Sequence, residues 1–395
     1  MKVRLFNTFE PVVPVWENIV AALKQRKDIV VEPIVSRGVY RSEQKSKIAA
    51  AHRHVFVPGF LRNSKAACHL FYFALAPLKI LFAGRGLNVF FTQPPFFYGL
   101  AGLLSKLRGT PYVIHVMDLQ PDMLVAYGKL KRNGVVHKLT SALGNYALRG
   151  ADRVVVIGDC MKQLIVSKGV KPSQIDVIEN IAFDEAGVAI PKDKNSYLSK
   201  LEVGGKFIVS YSGNMGFAHE FDTILEVARR LADHPDILFL FTGRGKRRSE
   251  IEAYIQRHQP MNVRLLDFVP AEELSQSLAA ADVHFISLRD GFEGVMVPSK
   301  FYGCLASGRA IVYEGNPTGE IALELQRSGS GQSVDHRDVD ALESSILDYF
   351  QHRDQCELDG QRGKQRHDSH YSAQHFQSKY AATVSSVLGP PSVDN

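Results

Sequence analysis

The amino-acid sequence predicts an α/β fold of two doubly wound parallel-sheet domains. Three observations carry this expectation. Strand-length apolar runs alternate with helix-length stretches, the rhythm of βαβ units. The alternation lapses once, over residues 184–205, and then restarts. The 395 residues exceed one ordinary core, and a chain of this size suits two domains of roughly 150–200 residues.

In the first half, Val3–Phe9, the β-branched Ile29–Val35, Asn88–Thr92, Tyr112–Val116, Arg153–Ile157 and Asp176–Ile178 read as strands. Pro14–Arg26, Tyr98–Leu107, Leu139–Arg149 and the stretch from Gly158-Asp159 to Ser167 read as helices. The most apolar segment, Ala66–Ala83, holds His69, Pro77 and Lys79, short of the roughly 20 clean apolar residues of a spanning helix. It reads as a buried or partly buried helix, with a face resting on a membrane as the alternative.

Residues 184–205 are rich in Gly, Lys and Asp without sustained periodicity and mark the linker. Beyond it, Phe207–Tyr211, Ile237–Phe241, Val263–Leu266, Val283–Ser287 and Ala310–Tyr313 read as strands. Phe221–Leu231, Arg248–Arg257, Ala271–Ala280, Ser299–Ala306, Gly319–Arg327 and Val339–Phe350 read as helices. A last helical stretch covers 372–388, and 389–395 is expected to fray. The expected divisions are 1–185, 186–371, and a C-terminal helix and tail over 372–395 that packs back toward the first domain.

With 45% hydrophobic and 22% charged residues the chain falls outside the disordered class. The net charge of +6 and pI near 9.0 point to polyanions or membrane surfaces as partners. The densest basic spot, Lys129-Leu130-Lys131-Arg132, is too short for a nucleic-acid stripe and suits anionic lipid headgroups. Cys68, Cys160, Cys304 and Cys356 are far apart and form no C-x-x-C pair. This argues against a zinc site or disulfide framework and for a reducing compartment. The opening MKVRLFNTFEP has no signal-peptide core, so a cytoplasmic protein is expected, peripheral on the membrane at most.

Ligands of an open parallel sheet bind at the carboxyl ends of its strands. In the second half these ends carry Ser212-Gly213-Asn214-Met215-Gly216, Thr242-Gly243-Arg244-Gly245-Lys246, and Arg289–Glu293 leading to Pro298-Ser299-Lys300. Each alone reads as an ordinary turn; together they fit one anion site built three ways. A full G-x-G-x-x-G and a Walker A motif are absent, which argues against dinucleotide and P-loop chemistry. Pro298 suits the first helical position, with Ser299 and Lys300 in the first turn. A lysine there adds to the positive end of the helix dipole, so it reads either as solvent-facing or as the grip on a diphosphate. Gly303 keeps that face flat, and Gly308 closes the helix. Asp338-Val339-Asp340 has the letters of a metal-binding D-x-D but precedes an apolar-periodic stretch and reads as a helix cap. His367, His370 and His375 read as surface residues.

The run V-P-S-K-x-x-x-x-L-A-S-G-R at 297–309, with S-G-N-M-G at 212–216 and G-N-P-T-G-E-I at 315–321, resembles glycosyltransferase family 4. The likeness extends to T-Q-P-P-F at 92–96, V-M-D-L-Q-P-D at 116–122, A-D-R-V-V-V-I-G at 151–158, V-I-E-N at 177–180 and the H-Y-S…Y-A-A-T-V helix near the end. It is strongest with the branch that builds bacterial surface polysaccharides. The resemblance implies a GT-B fold of two Rossmann-like domains facing a cleft, and retaining transfer from a nucleoside-diphosphate sugar, UDP before GDP. The implied acceptor is a hydroxyl of a glycan or lipid-linked molecule, with no metal and no cofactor. It places Gly213, Asn214, Lys246, Phe268, Val269, Glu293, Ser299 and Glu320 in the donor site, and gives catalytic roles to Asp118, Lys300 and Arg244.

The sequence departs from the family in two places. The family's pair of glutamates, with seven residues between them, falls on Gly303 and near Val295, with Glu293 close by; Glu320 is the candidate replacement for the ribose contact. Met117 stands where many members have a histidine, and the nearby His115 reads as a satisfied core residue. Asp118 reads as the residue that orients the acceptor or as an ordinary turn residue before Pro121. Two other readings share the fold: a UDP-sugar 2-epimerase-like isomerase and a non-catalytic sugar-nucleotide-binding protein.

Overall fold

The computed structural model describes residues 1–8, 14–36, 53–182 and 190–389. The far end of the Val3–Phe9 run, residues 184–189 of the linker with the expected 185/186 division, and the tail beyond 389 lie outside them. Two compact units form: residues 1–179, 294–296 and 373–395, and residues 180–293 and 297–372.

The first unit is a seven-stranded parallel sheet ordered β3-β2-β1-β4-β5-β6-β7. Its strands are β1 (Lys2–Phe6), β2 (Val30–Ser36), β3 (Arg53–Val55), β4 (Leu87–Phe91), β5 (Tyr112–Val116), β6 (Arg153–Val156) and β7 (Ile175–Val177). The order reverses at β1, where Val3 pairs with Val31 on one side and Leu87 on the other. Every residue of β4 and β5 is buried, as befits a parallel sheet covered on both faces. The helices are α1 (Pro14–Lys24), α2 (Lys65–Leu81), α3 (Phe97–Leu107), α4 (Asp122–Ala126), α5 (Val135–Gly150) and α6 (Asp159–Ser167). The C-terminal helix Ala373–Leu388 also belongs to this unit; its Gln377 donates to Asn18 of α1 at 2.6 Å, and its Tyr380 and Val384 are buried. The three-residue β3 and five-residue α4 are too short to leave a periodic signal, and α5 begins one turn before the expected Leu139.

The second unit is a six-stranded parallel sheet ordered β10-β9-β8-β11-β12-β13. It comprises β8 (Phe207–Ser212), β9 (Ile237–Thr242), β10 (Val263–Leu266), β11 (Val283–Ser287), β12 (Ala310–Glu314) and β13 (Gly331–Val334). Its helices are α7 (Ser196–Leu201), α8 (Asp222–Arg230), α9 (Arg248–His258), α10 (Leu274–Ala279), α11 (Lys300–Ala306), α12 (Glu320–Ser328), α13 (Val339–Gln351) and α14 (Arg353–His370). The C-terminal helix is accordingly α15. Among the described residues no helix is long and apolar enough to cross a membrane.

Three features correct the expectations. The described part of the linker is structured: Asn195 caps α7 by accepting from the Tyr197 and Leu198 amides, and both side chains join the apolar cluster of Ile208, Leu238 and Leu240. β13 has the polar sequence GQSV, and a Cβ at Gly331 would overlap the Ile311 carbonyl oxygen of β12. Helix α14 lacks apolar periodicity because its buried face is Cys356, Asp359, Gly360 and Gly363. That face is patterned by size rather than hydrophobicity, so backbone can approach closely.

This packing predicts a substitution whose sign opposes helix propensity. Gly360→Ala in an open helix would stabilise by about 1 kcal/mol. Here the new methyl would overlap the Gly308 carbonyl oxygen. Denaturant unfolding should therefore show a loss of about 1–3 kcal/mol; a gain would mean that α14 does not lie on that backbone.

Candidate functional site

At the carboxyl ends of β8, β9 and β10 the backbone forms a seam. Gly213 N donates to Thr242 O at 2.9 Å, Gly243 N to Leu266 O at 3.0 Å, and Met215 N to Arg244 O at 2.8 Å. A side chain at Gly243 would overlap the Gly213 carbonyl oxygen, and Gly243 also has φ of 141°. Its glycine therefore serves loop-to-loop packing. Gly213 differs: its φ is 130°, and a Cβ there would meet the end of Lys300, 3.5 Å from Cε and 3.8 Å from Nζ.

Lys300 is the first residue of α11. Pro298 and Ser299 form a tight lead-in turn, with Phe301 N donating to Pro298 O at 3.1 Å and Tyr302 N to Ser299 O at 3.3 Å. Regular helix thus starts two residues after the expected Pro298 and one after Ser299. The Lys300 Nζ is buried and lacks a hydrogen-bond partner. It sits 3.5 Å from the centre of the Tyr211 ring, whose hydroxyl donates to Asn214 O at 2.8 Å. The ring face offsets only part of the lost hydration, and burial pushes the ammonium pKa well below the usual lysine range. Beside it, buried His219 donates from Nδ1 to Ser287 O at 2.7 Å; burial, with Lys300 nearby, lowers its pKa to about 3, so the ring is neutral.

The next residue is one that the sequence did not single out. Glu220 is fully buried and is met by three guanidinium groups, from Arg247 at 3.0 Å, Arg337 at 3.5 Å and Arg289 at 3.6 Å. Its backbone amide donates to Ser287 Oγ at 2.9 Å, and Ser287 Oγ donates back to Glu220 O at 2.8 Å. Burial alone would raise its pKa, but Arg247 and hydrogen bonds outweigh that and hold the carboxyl below its ordinary value. The arginines lie on three separate loops, so no sequence spacing announces the cluster.

The other expected donor residues fall around this core. The Arg244 guanidinium is directed at Asp267, with hydrogen bonds of 3.2 and 3.0 Å, rather than held open for an anion. Lys246 Nζ lies 5.3 Å from the Phe217 ring centre. Phe268 is exposed, and Val269 packs on the Ile208, Leu238 and Leu240 cluster. Glu293 Oε2 accepts from Gly291 N at 2.9 Å, while its Oε1 is buried without a partner. Its Cγ lies 3.8 Å from where a Gly319 Cβ would stand, next to Glu320 at the start of α12. Asn214 and Ser299 are exposed.

In the first unit, Asp118 follows β5. Its amide donates to Thr92 Oγ1 at 3.3 Å and that of Met117 to the same oxygen at 3.4 Å, tying V-M-D to the start of T-Q-P-P-F. Burial pushes the Asp118 carboxyl up to about 6. His115 is a core residue, but not the satisfied one expected: both ring nitrogens are buried without hydrogen-bond partners, between Phe91 at 5.1 Å and Tyr380 at 5.8 Å. Burial lowers its pKa to about 3. Of the three late histidines only His370 is exposed; His367 and His375 are half-buried, and His367 meets Asp368 at 3.1 Å. Asp338 caps α13 by accepting from Ala341 N at 2.9 Å. Among the described residues no group of three His, Cys, Asp or Glu side chains is arranged to hold a metal ion.

Residues 12–180 match the family model described as a glycosyl transferase 4-like domain, and residues 193–365 match that of glycosyl transferases group 1. The chain is 28% identical over 268 residues to the probable glycosyltransferase WbjE of Pseudomonas aeruginosa, covering 68% of this chain and 65% of that protein. It is 26% identical over 257 residues to the putative colanic acid biosynthesis glycosyl transferase WcaI of Escherichia coli K12, covering 62% of this chain and 61% of that protein. The match thus spans under two thirds of either relative's length. Among solved structures, Anabaena HepE in complex with UDP aligns with a TM-score of 0.72 over 98% of this chain and 99% of that one, at 13% identity. This last is a likeness of fold alone. The two parallel-sheet units are those of GT-B structures.

The Asp118 environment generates a stability test. A carboxyl raised from 3.8 to about 6 is favoured protonated in the fold, so the folded state loses stability as pH rises between those values. Asp118→Asn should therefore stabilise the protein at pH 7.5 by about 1–3 kcal/mol. The gain should shrink as pH falls through about 6 and vanish below about 4. Equal unfolding midpoints at pH 7.5 would show that the carboxylate is well solvated.

Proposed function

The chain belongs to the glycosyltransferase family 4 enzymes of GT-B fold, and we propose that it is a retaining transferase of bacterial polysaccharide synthesis. It moves a sugar from a nucleoside-diphosphate sugar, UDP before GDP, to a hydroxyl of a glycan or lipid-linked acceptor at the membrane surface. The observation that carries this reading is the buried, unpartnered Lys300 ammonium beneath Gly213. An ammonium so placed gains most from a ligand that supplies dense negative charge at that point, as a diphosphate does. WbjE and WcaI carry glycosyltransferase names, and HepE has been solved with UDP and with UDP-glucose, which supports the same donor class here.

In this reaction the bond from the sugar carbon to the diphosphate oxygen breaks as the acceptor oxygen bonds on the same face. Negative charge builds on the leaving diphosphate. Lys300 stabilises it in place of water, with the backbone N–H groups of Asn214 and of the α11 lead-in. Ser299 adds a hydroxyl donor, and Arg244 reaches the phosphates by exchanging its Asp267 partner. Glu293 and Glu320 take the sugar and ribose hydroxyls, while Phe268 and Val269 border the base. Asp118 orients the acceptor hydroxyl, whose proton passes to the leaving phosphate oxygen. No metal ion or cofactor takes part in this scheme.

Calorimetric titration with UDP, GDP, ADP and CMP tests the donor class. UDP should bind tightest, and Lys300→Ala should weaken it at least about tenfold and lower turnover about a hundredfold or more. Burial lowers the pKa of the free amine and a bound diphosphate raises it again, so binding should take up protons and weaken as pH rises. Lys300→Met, which keeps the stem but removes the unpaired charge, should lose nucleotide affinity without losing stability. Wild-type affinity and turnover in these variants would remove Lys300 from the site.

A further inference from the structure

We propose that the helical face made by α2, α3 and α5 docks on an anionic lipid bilayer, with the outward stripe of α2 entering the headgroup boundary. This goes beyond the donor-site reading and is tested without turnover, so either can fail alone.

The three helices lie side by side and run the same way. The rings of Tyr72 and Phe73 in α2 are 5.2 and 5.9 Å from Phe97 at the start of α3, and Arg108 at the end of α3 reaches Ala83 O, just past α2, at 3.5 Å. A Cβ at Gly99 would stand 3.0 Å from Leu143 of α5, and one at Gly102 would meet Ala147 one turn on.

A helix on the surface of a globular unit turns polar residues outward. Helix α2 does not. Its inward positions are Cys68, Tyr72, Ala76 and Ile80, yet its outward ones are Leu70, Phe73, Ala74 and Leu78. Leu70 is 69% exposed, and Phe82 just past the helix is 84% exposed. Leu107 ending α3 and Val135 opening α5 are 74% and 75% exposed. These exposures exceed the scattered apolar residues of an ordinary surface.

The charge of the same segment selects the partner. Residues 54–150 hold eleven Lys and Arg but only two acidic residues, Asp118 and Asp122, neither of them within the three helices. The whole chain is +6, so everything outside this segment is slightly net negative. The basic residues bracket the apolar face: Lys79, Arg85 and Arg108 at one end, Lys131, Arg132 and Lys138 at the other. Apolar side chains rimmed by cations fit a surface with an acyl interior and anionic headgroups. A nucleic acid would leave the leucines in water, and a second copy would set two strongly positive faces together. Because no described helix can span, the face lies on the bilayer.

Co-sedimentation with vesicles tests this, using phosphatidylcholine alone and mixed with phosphatidylglycerol, at about 50 and about 500 mM salt. The full chain should bind the mixed vesicles at least about tenfold better than the neutral ones at low salt, and weaken at high salt. Leu70→Glu with Leu78→Glu, at exposed positions and so with an unchanged melting temperature, should lose binding at both salts. Lys131→Glu with Arg132→Glu should bind several-fold more weakly and with a flatter salt dependence. The proposal is overturned if the wild type stays in the supernatant at low salt or if the leucine variant binds like the wild type. It is equally overturned if light scattering finds a dimer that the leucine variant splits.

Discussion

Everything at the strand ends of the second unit depends on a backbone seam that leaves no room for side chains. Gly213 and Gly243 bring the loops after β8 and β9 into amide-to-carbonyl contact, and the β10 loop joins through Leu266. This approach requires φ values that cost other residues strain. Once the loops are closed, Tyr211 is fixed by its hydroxyl bond to Asn214 O, and the space under Gly213 is fitted to the end of one lysine. The position of the Lys300 ammonium is therefore a consequence of glycine backbone, not of a charged partner.

A second interaction holds the outer edge of the same loops. Glu220 draws Arg247, Arg289 and Arg337 onto a single buried carboxylate, and Ser287 locks its backbone from both sides. Arg247 is shared with Glu250 at 2.7 Å, so the cluster is a network of both signs rather than a single pair. Glu314, one strand over, accepts from Thr223 Oγ1 at 2.7 Å and from the Arg337 amide at 3.0 Å, which ties the β13 loop to the same corner. Removing the Glu220 carboxylate would take one of two acidic partners from the buried Arg247, which keeps Glu250, while Arg289 and Arg337 are exposed enough to be met by water.

The parts legible in the sequence were those whose signal is periodic or local. β-branched runs marked most of the strands, and an Asp before an apolar stretch marked the α13 cap. Helix α14 was illegible because its buried face is selected for smallness, and α7 because a short capped helix sat in a polar stretch read as linker. At the candidate site, residue type and strand-end position brought out Gly213 and Lys300. The role of Gly243 as packing, the Arg244–Asp267 pair and the Glu220 cluster follow from contacts between loops distant in sequence. His115 shows the same limit: its strand position is legible, but not that nothing bonds its ring.

Burial acts on the candidate groups of both units in one direction, toward neutrality. It raises the Asp118 carboxyl and lowers Lys300, His219 and His115. Each then has a charged form that the protein itself stabilises little. For an isolated fold this is a cost, and no packing argument accounts for it, since apolar side chains of similar size would fill the same space without the penalty. It is intelligible where a ligand supplies the missing charge or hydrogen bond. At Lys300, whose Nζ is buried without a hydrogen-bond partner, the charge that fits is an anion's. Asp118 differs, because it is half-buried and water as well as another hydroxyl donor can meet its carboxyl.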